Sequence, residues 1–210
     1  GDTLEAPEVP EWVNLYGSIL TDTFEVADGS LGGPVSFQLI DLNRDGTPEL
    51  ILNLDVDATT TTQEVYALTK QDGQWFTQQI FSARAYHASL SYGKKTGVLM
   101  EEYTFFGNFG CYYETLSEDG DLQRLHQLDA DLIGGTYTLD GNAITKDEFV
   151  QQWKSNKGQD TFLQVPFLPE DGIELTFNTL DTFFCAPNRY LTVGTADYLD
   201  GLEQNISFFE

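Results

Sequence analysis

Hydrophobic positions along the chain change period several times, and each change marks an element. Pro10 suits the first turn of a helix, with acidic Glu11 beside it, and Trp12, Tyr16, Ile19 and Leu20 then share one helical face. The spacing predicts a helix from residue 10 that ends near Thr23, followed by a loop rich in glycine and proline over residues 27–34. Apolar runs at residues 35–40 and 50–54 read as strands on either side of a polar segment, and residues 55–62 read as an exposed polar connection. Residues 64–70 and 74–80 flank Asp72-Gly73, and residues 111–116 and 122–128 flank Glu118-Asp119-Gly120, which predicts two hairpins. Between them, residues 87–92 and 97–106 alternate around Gly93-Lys94-Lys95. A short strand over 137–139 turns at Asp140-Gly141. Thr145 and Glu148 then form a capping box, with Ile144 and Phe149 as its hydrophobic staple, and the helix stops by Gly158.

From residue 161 the pattern is broken by Pro166, Pro169 and Pro187, with turns at Asp171-Gly172 and Asp200-Gly201. Further strands forming a small second sheet are expected there. The predicted fold class is mainly β (α+β): an antiparallel β-meander with an N-terminal helix and a second helix near residues 145–155. The expected organisation is a disordered tail over 1–9, a helix-plus-sheet domain over 10–160, and a β-rich extension of that domain over 161–210.

The polar segment between the first two strands carries the most specific chemistry. Asp41, Asn43 and Asp45 place oxygen-bearing side chains at loop positions 1, 3 and 5. Gly46 follows at position 6, Thr47 offers its carbonyl at 7, and Glu49 stands at 9. Calcium takes six to eight oxygens, and alternate acidic positions around a glycine turn supply them. Position 12, where an EF-hand has a bidentate glutamate, is Leu52, and the flanks are strands. The same residues also suit an ordinary Asx-Gly turn.

The segment resembles the calcium loops of FG-GAP repeats, as in integrin α-subunit propellers. It is also similar to a single loop, roughly F-x-x-x-D-x-[DN]-x-DG-x-PEL, in largely uncharacterised secreted or lipid-anchored (lipoprotein) proteins of Gram-positive bacteria. The matching residues are Phe37, Asp41, Asn43, Asp45, Gly46, Pro48, Glu49 and Leu50. The resemblance implies one structural calcium ion. Asn43 in place of an aspartate and the adjacent Arg44 imply weaker binding than a fully acidic loop would give. Nothing repeats at 20 to 50 residues, so a whole propeller is not encoded.

Charge narrows the function classes. The chain has 34 Asp and Glu against 10 Lys and Arg, a formal net charge of −24, and Arg44 is the only Lys or Arg before Lys70. Such a field repels nucleic acid and anionic membranes and attracts cations. No run approaches the 18 apolar residues of a membrane helix, so no membrane insertion of the mature domain is expected. The leading Gly1-Asp2-Thr3 implies that a targeting segment has been removed, and an extracellular or cell-surface-anchored location is expected. Cys111 and Cys185 leave one disulfide and two buried thiols equally open.

His87 and His126 are the only histidines, and no G-x-S-x-G, H-E-x-x-H, Walker A or dinucleotide fingerprint occurs. A Cys111–His126 pair is conceivable, but a structural cysteine and a strand histidine are the expected reading. An aromatic stretch over residues 103–113 offers a candidate binding surface at Tyr103, Phe105, Phe106, Phe109 and Tyr112, against the alternative of a core strand and tight turn. The expected function is a non-catalytic, calcium-stabilised extracellular domain that binds a glycan, peptide or surface protein. The alternative is a secreted carboxylate-based glycosidase with a structural calcium.

Overall fold

The structure is a computed structural model and describes residues 9–30, 35–57, 60–84, 87–167 and 169–191. It is mainly β, with two antiparallel sheets and three α-helices. Helix α1 (Glu11–Ser30) leads into the first sheet. That sheet comprises β1 (Val35–Ile40), β2 (Glu49–Asp57), β3 (Thr60–Gln71) and β4 (Gln74–Arg84), with the late β12 (Ile173–Glu174) against β1. Its order is β12-β1-β2-β3-β4. The second sheet is the meander β5 (Ala88–Gly93), β6 (Leu99–Phe105), β7 (Asn108–Leu116), β8 (Leu122–Asp131), β9 (Thr136–Leu139) and β10 (Asn142–Ile144). The short β11 (Phe162–Gln164) closes its other edge on β5. Helices α2 (Lys146–Lys157) and α3 (Phe177–Cys185) complete the fold.

Residue parity decides what covers each sheet face. Phe37, Leu39, Leu50 and Leu52 pack beneath Trp12, Tyr16 and Leu20 of α1 and Phe183 of α3. The opposite parity, Ile40 and Ile51, joins Leu90, Tyr92 and Leu99 between the sheets. Every residue of β1 is therefore buried. On the far side of the second sheet, Met100, Phe109, Cys111 and Leu128 bury against Phe149 and Trp153 of α2. The predicted capping box is present: Thr145 accepts from the Glu148 N–H, and Glu148 accepts from the Thr145 N–H.

Several expectations need correction. Helix α1 runs on to Ser30 instead of stopping near Thr23, because Phe24 and Ala27 continue its packing on the core. The connection expected at 55–62 is largely strand, since pairing with β3 carries β2 out to Asp57. After residue 161 the expected second sheet is absent from the described residues. The short β11 and β12 each add to an existing sheet, and α3 occupies the rest, capped by Thr176 and Thr179. The two cysteines are unpaired, Cys111 buried and Cys185 exposed. Most of the tail, residues 1–8, and the turn at Asp200-Gly201 lie outside the described residues.

Asp160 ties the β5–β6 turn to the strand that follows it. Its carboxylate accepts from the Thr96 hydroxyl at 2.7 Å, the Thr96 N–H at 2.8 Å, the Lys95 N–H at 3.0 Å and the Thr161 N–H at 2.7 Å. Slight burial pushes its pKa up, but those four donors outweigh it and hold the carboxyl below its usual value. A lowered folded pKa gives stability that is present above the unfolded value of about 3.9 and is lost as the pH falls through the folded value. Asp160→Ala is expected to cost about 1–2 kcal/mol at neutral pH. In urea unfolding, the gap from wild type should shrink toward zero below about pH 3.

Candidate metal centre

The loop Asp41–Glu49 connects the two central strands of the first sheet, β1 and β2, whose pairing closes at Ile40–Glu49. Its turn needs left-handed backbone twice, at Arg44 (φ 66°) and Gly46 (φ 92°), and glycine meets that need without strain at the second position. Asp41 accepts from the Asp45 N–H at 3.1 Å and from the Gly46 N–H at 3.0 Å. Asp45 accepts from the Thr47 N–H at 2.7 Å and from the Asn43 amide at 2.8 Å. Glu49 turns back into the loop and accepts from the Leu42 N–H at 2.7 Å. The chain is thus folded around its own acidic side chains, and Asp41, Asn43, Asp45, Thr47 and Glu49 all belong to this one turn.

Glu49 is the unusual member. It is 2% exposed, and among the described residues no lysine, arginine or histidine forms an ion pair with it. Burial raises its carboxyl well above the usual range, and the Asp45 and Asp41 charges add to that, against the lowering hydrogen bond from Leu42. Arg44 does not relieve the crowding; its guanidinium donates to the carbonyl of Lys94. Below the loop, the buried Tyr16 hydroxyl donates to the Pro48 carbonyl at 2.9 Å, and burial followed by the Glu49 and Asp45 charges pushes its ionisation upward. A buried carboxylate crowded by two others and served only by backbone N–H groups is an environment that a cation would relieve. The donors are all oxygen, which suits calcium rather than a thiophilic metal. Among the described residues no three His, Cys, Asp or Glu side chains already converge as a ligand group. The carboxylates of Asp41 and Asp45 are turned onto the loop's own N–H groups.

The loop sits where the two sheets meet. The Asn43 amide donates to the Leu116 carbonyl at the end of β7, 3.2 Å away. Gly97, in the β5–β6 turn, lies so close to the Asn43 backbone that a Cβ there would fall 2.4 Å from its carbonyl oxygen. The β7–β8 turn reaches back to the first sheet through the Lys70 N–H and the Asp119 carbonyl, 2.8 Å apart. Beside the loop lies a cavity of about 130 Å³ into which Asn43, Asp45, Thr47 and Glu49 all face. Trp12 and Trp75 wall it, and Glu11, Ser117 and Glu118 complete its rim. No sequence pattern joins Trp75 and Glu118 to the loop; they arrive on separate hairpins.

The aromatic stretch is divided by its turn and strand parity. Phe109 is 3% exposed and packs on Phe149 and Trp153, so it is core and not surface. Phe105 and Phe106 are exposed at the β6–β7 turn, 48% and 80%, next to Ile133 at 82%. Tyr103 and Tyr112 lie on the opposite sheet face from Phe109, and both hydroxyls donate to Asp129 Oδ1 at 3.1 Å. Arg124 stacks over the Tyr112 ring at 4.2 Å and pairs with Glu114 at 2.7 Å. The five candidates therefore do not form one surface. Cys111 and His126 do not form a pair either. The Cys111 thiol lies 3.7 Å from Glu102 in the core, where burial and then Glu102 raise its pKa, the reverse of what a nucleophile needs. His126 stands 3.4 Å from Asp140 with both side chains exposed.

Among the described residues no helix is long and apolar enough to cross a membrane. The chain matches no family model, no curated protein and no solved structure.

Proposed function

We propose that the protein is a non-catalytic, calcium-stabilised binding domain of the extracellular side. Asp41, Asn43, Asp45, the Thr47 carbonyl and Glu49 hold one calcium ion that fastens the first sheet to the second. The observation that carries this is Glu49, a buried carboxylate beside Asp41 and Asp45 that lacks a cationic partner among the described residues. The FG-GAP-like spacing supports it, as does the net charge of −24, which draws cations to the domain. Extracellular calcium modules bind at about 0.1–1 mM, a range suited to a compartment rich in calcium.

Calorimetric titration of the EDTA-stripped protein tests the proposal. One calcium per chain with a sub-millimolar to millimolar Kd is expected, with magnesium much weaker and Asp45→Ala abolishing the heat. Unaltered binding in Asp45→Ala would place the ion elsewhere, and no binding would leave the segment an ordinary acidic turn.

The hydrolase alternative falls on Glu101 and Glu114 of β6 and β7. The Glu101 carboxyl is raised by burial and by the Glu114 charge, and Arg124 pairs with Glu114, but neither carboxylate lines a described cavity, so this reading is the weaker one. Glycan release that disappears in Glu101→Gln would favour it.

A further inference from the structure

We infer that the outer edge of strand β4 is a docking site for an extended peptide in which basic and apolar residues alternate. The inference rests on the reading of the protein as a binding domain and names its partner. It needs no metal, so the calcium titration and the experiment below fail separately.

Among the described residues the two sheets have four edges, and three of them are blunted. β12 is 2 residues long, and β10 and β11 are 3 residues each. The fourth edge is β4, 11 residues long and paired only with β3. A strand in that place turns alternate N–H and C=O groups outward, and proteins protect such a row with lysines, prolines or a covering segment. No Asp, Glu, Lys, Arg or Pro stands between Gln74 and Ala83, and no described segment pairs with the outer side. The one irregularity is Ile80, which is skipped where Val65 meets Phe81 and Tyr66 meets Gln79. That bulge bends the second half of the strand and leaves Gln74–Gln79 as the straight run on which another strand can pair.

Parity along this run selects the partner. Trp75 lies opposite Lys70 and Gln79 opposite Tyr66, on the face toward α1. Glu11 and Glu118 line the cavity walled by Trp75. Further along the same face, Glu64 accepts from the Tyr66 hydroxyl at 2.7 Å, and that hydroxyl accepts from Gln79. The cations of the β3–β4 hairpin are Arg84, beyond the bulge, and Lys70, one strand in from the edge with its ammonium 5.2 Å from the Trp75 ring centroid. The other face presents Phe76, 41% exposed. A strand laid along β4 therefore meets carboxylates on one side and an exposed phenyl ring on the other. Lysine or arginine at alternate positions, with apolar residues between them, matches both. A second copy of this chain fits less well. Pairing β4 with itself would bring together two molecules of net charge −24 with the same carboxylates at the seam.

Amide hydrogen exchange read residue by residue by NMR, with and without the peptide acetyl-Lys-Val-Lys-Thr-Lys-Val-Lys-amide, tests the inference. An analogue N-methylated at its three central residues carries the same charge but has both of its edges blocked. The outward amides of Gln74–Gln79 are expected to exchange rapidly in the free protein and about tenfold or more slowly with the peptide. The analogue should bind about tenfold or more weakly and protect none of them. Glu118→Lys, at an exposed turn position, should weaken the peptide severalfold without changing exchange in the free protein. Equal binding of the analogue would reduce the contact to charge attraction and overturn the inference, as would a peptide that protects nothing in β4. Slow exchange of these amides in the free monomer would overturn it by showing that another part of the chain already covers the edge. Protection that grows with protein concentration, with a dimer in sedimentation, would overturn it in favour of a second copy.

Discussion

Replacing Lys157 with methionine is expected to destabilise the fold by about 3–5 kcal/mol, although the residue stands at the end of a surface helix. Its ammonium lies 2.9 Å from Glu102, and the two side chains are 13% and 8% exposed. Glu102 projects from β6 into the core beneath α2, where Trp153 donates to it at 2.9 Å. Lys157 also sits 4.1 Å from the centre of the Trp153 ring, so one ammonium serves both the carboxylate and the indole. Without it, Glu102 keeps one indole N–H and the weak donor Cys111 in an apolar setting. Leaving a charge buried and unpaired costs more than the pair itself contributes. Glu102→Gln should cost much less, since the amide oxygen still accepts from Trp153 and Lys157 can swing outward from the last turn. The double variant should recover most of the loss seen in Lys157→Met, and urea unfolding of the four proteins in a double-mutant cycle measures the coupling. A loss below about 1 kcal/mol in Lys157→Met would mean that the ammonium is solvated and the pair contributes little.

That ion pair was invisible in the sequence, and its position shows where legibility stops. The capping box at Thr145 and Glu148 and the turn at Asp72-Gly73 are local, and their signals lie within four residues. The calcium-type loop is legible for the same reason. Which strands share a sheet depends on contacts between distant segments, and no local rule says that β11 closes β5 or that β12 joins β1. Helix α3 reads as strand from the sequence because prolines interrupt its surroundings, although Thr176 and Thr179 give a cap of the same kind as Thr145 and Glu148. Phe109 was readable in part: its parity matches Cys111 and Tyr113, which are buried, while Tyr112 has the other parity. The cavity beside the loop was not readable, since Trp12, Trp75 and Glu118 reach it from α1, β4 and the β7–β8 turn.

Glu49→Gln is expected to separate the calcium contribution from the rest of the fold's stability. In EDTA the carboxylate has no cation, its burial is unfavourable, and Asp41 and Asp45 crowd it. Glutamine keeps an acceptor for the Leu42 N–H and removes the charge, so the variant should melt at or above the wild-type temperature. In calcium the order should reverse. A ligand that binds only the native state adds RT ln(1 + [L]/Kd), about 2.7 kcal/mol at one hundred times Kd. For a chain of this size that increment raises Tm by about 5–10 °C, and Glu49→Gln should lose most of it. Screening of the net charge of −24 would also raise Tm, but magnesium would reproduce that effect and it would survive in the variant. The crossing of the two proteins between EDTA and calcium is therefore the signature of a direct ligand. If Glu49→Gln is less stable in EDTA and still gains the full calcium increment, Glu49 acts only as a buried acceptor for the Leu42 backbone.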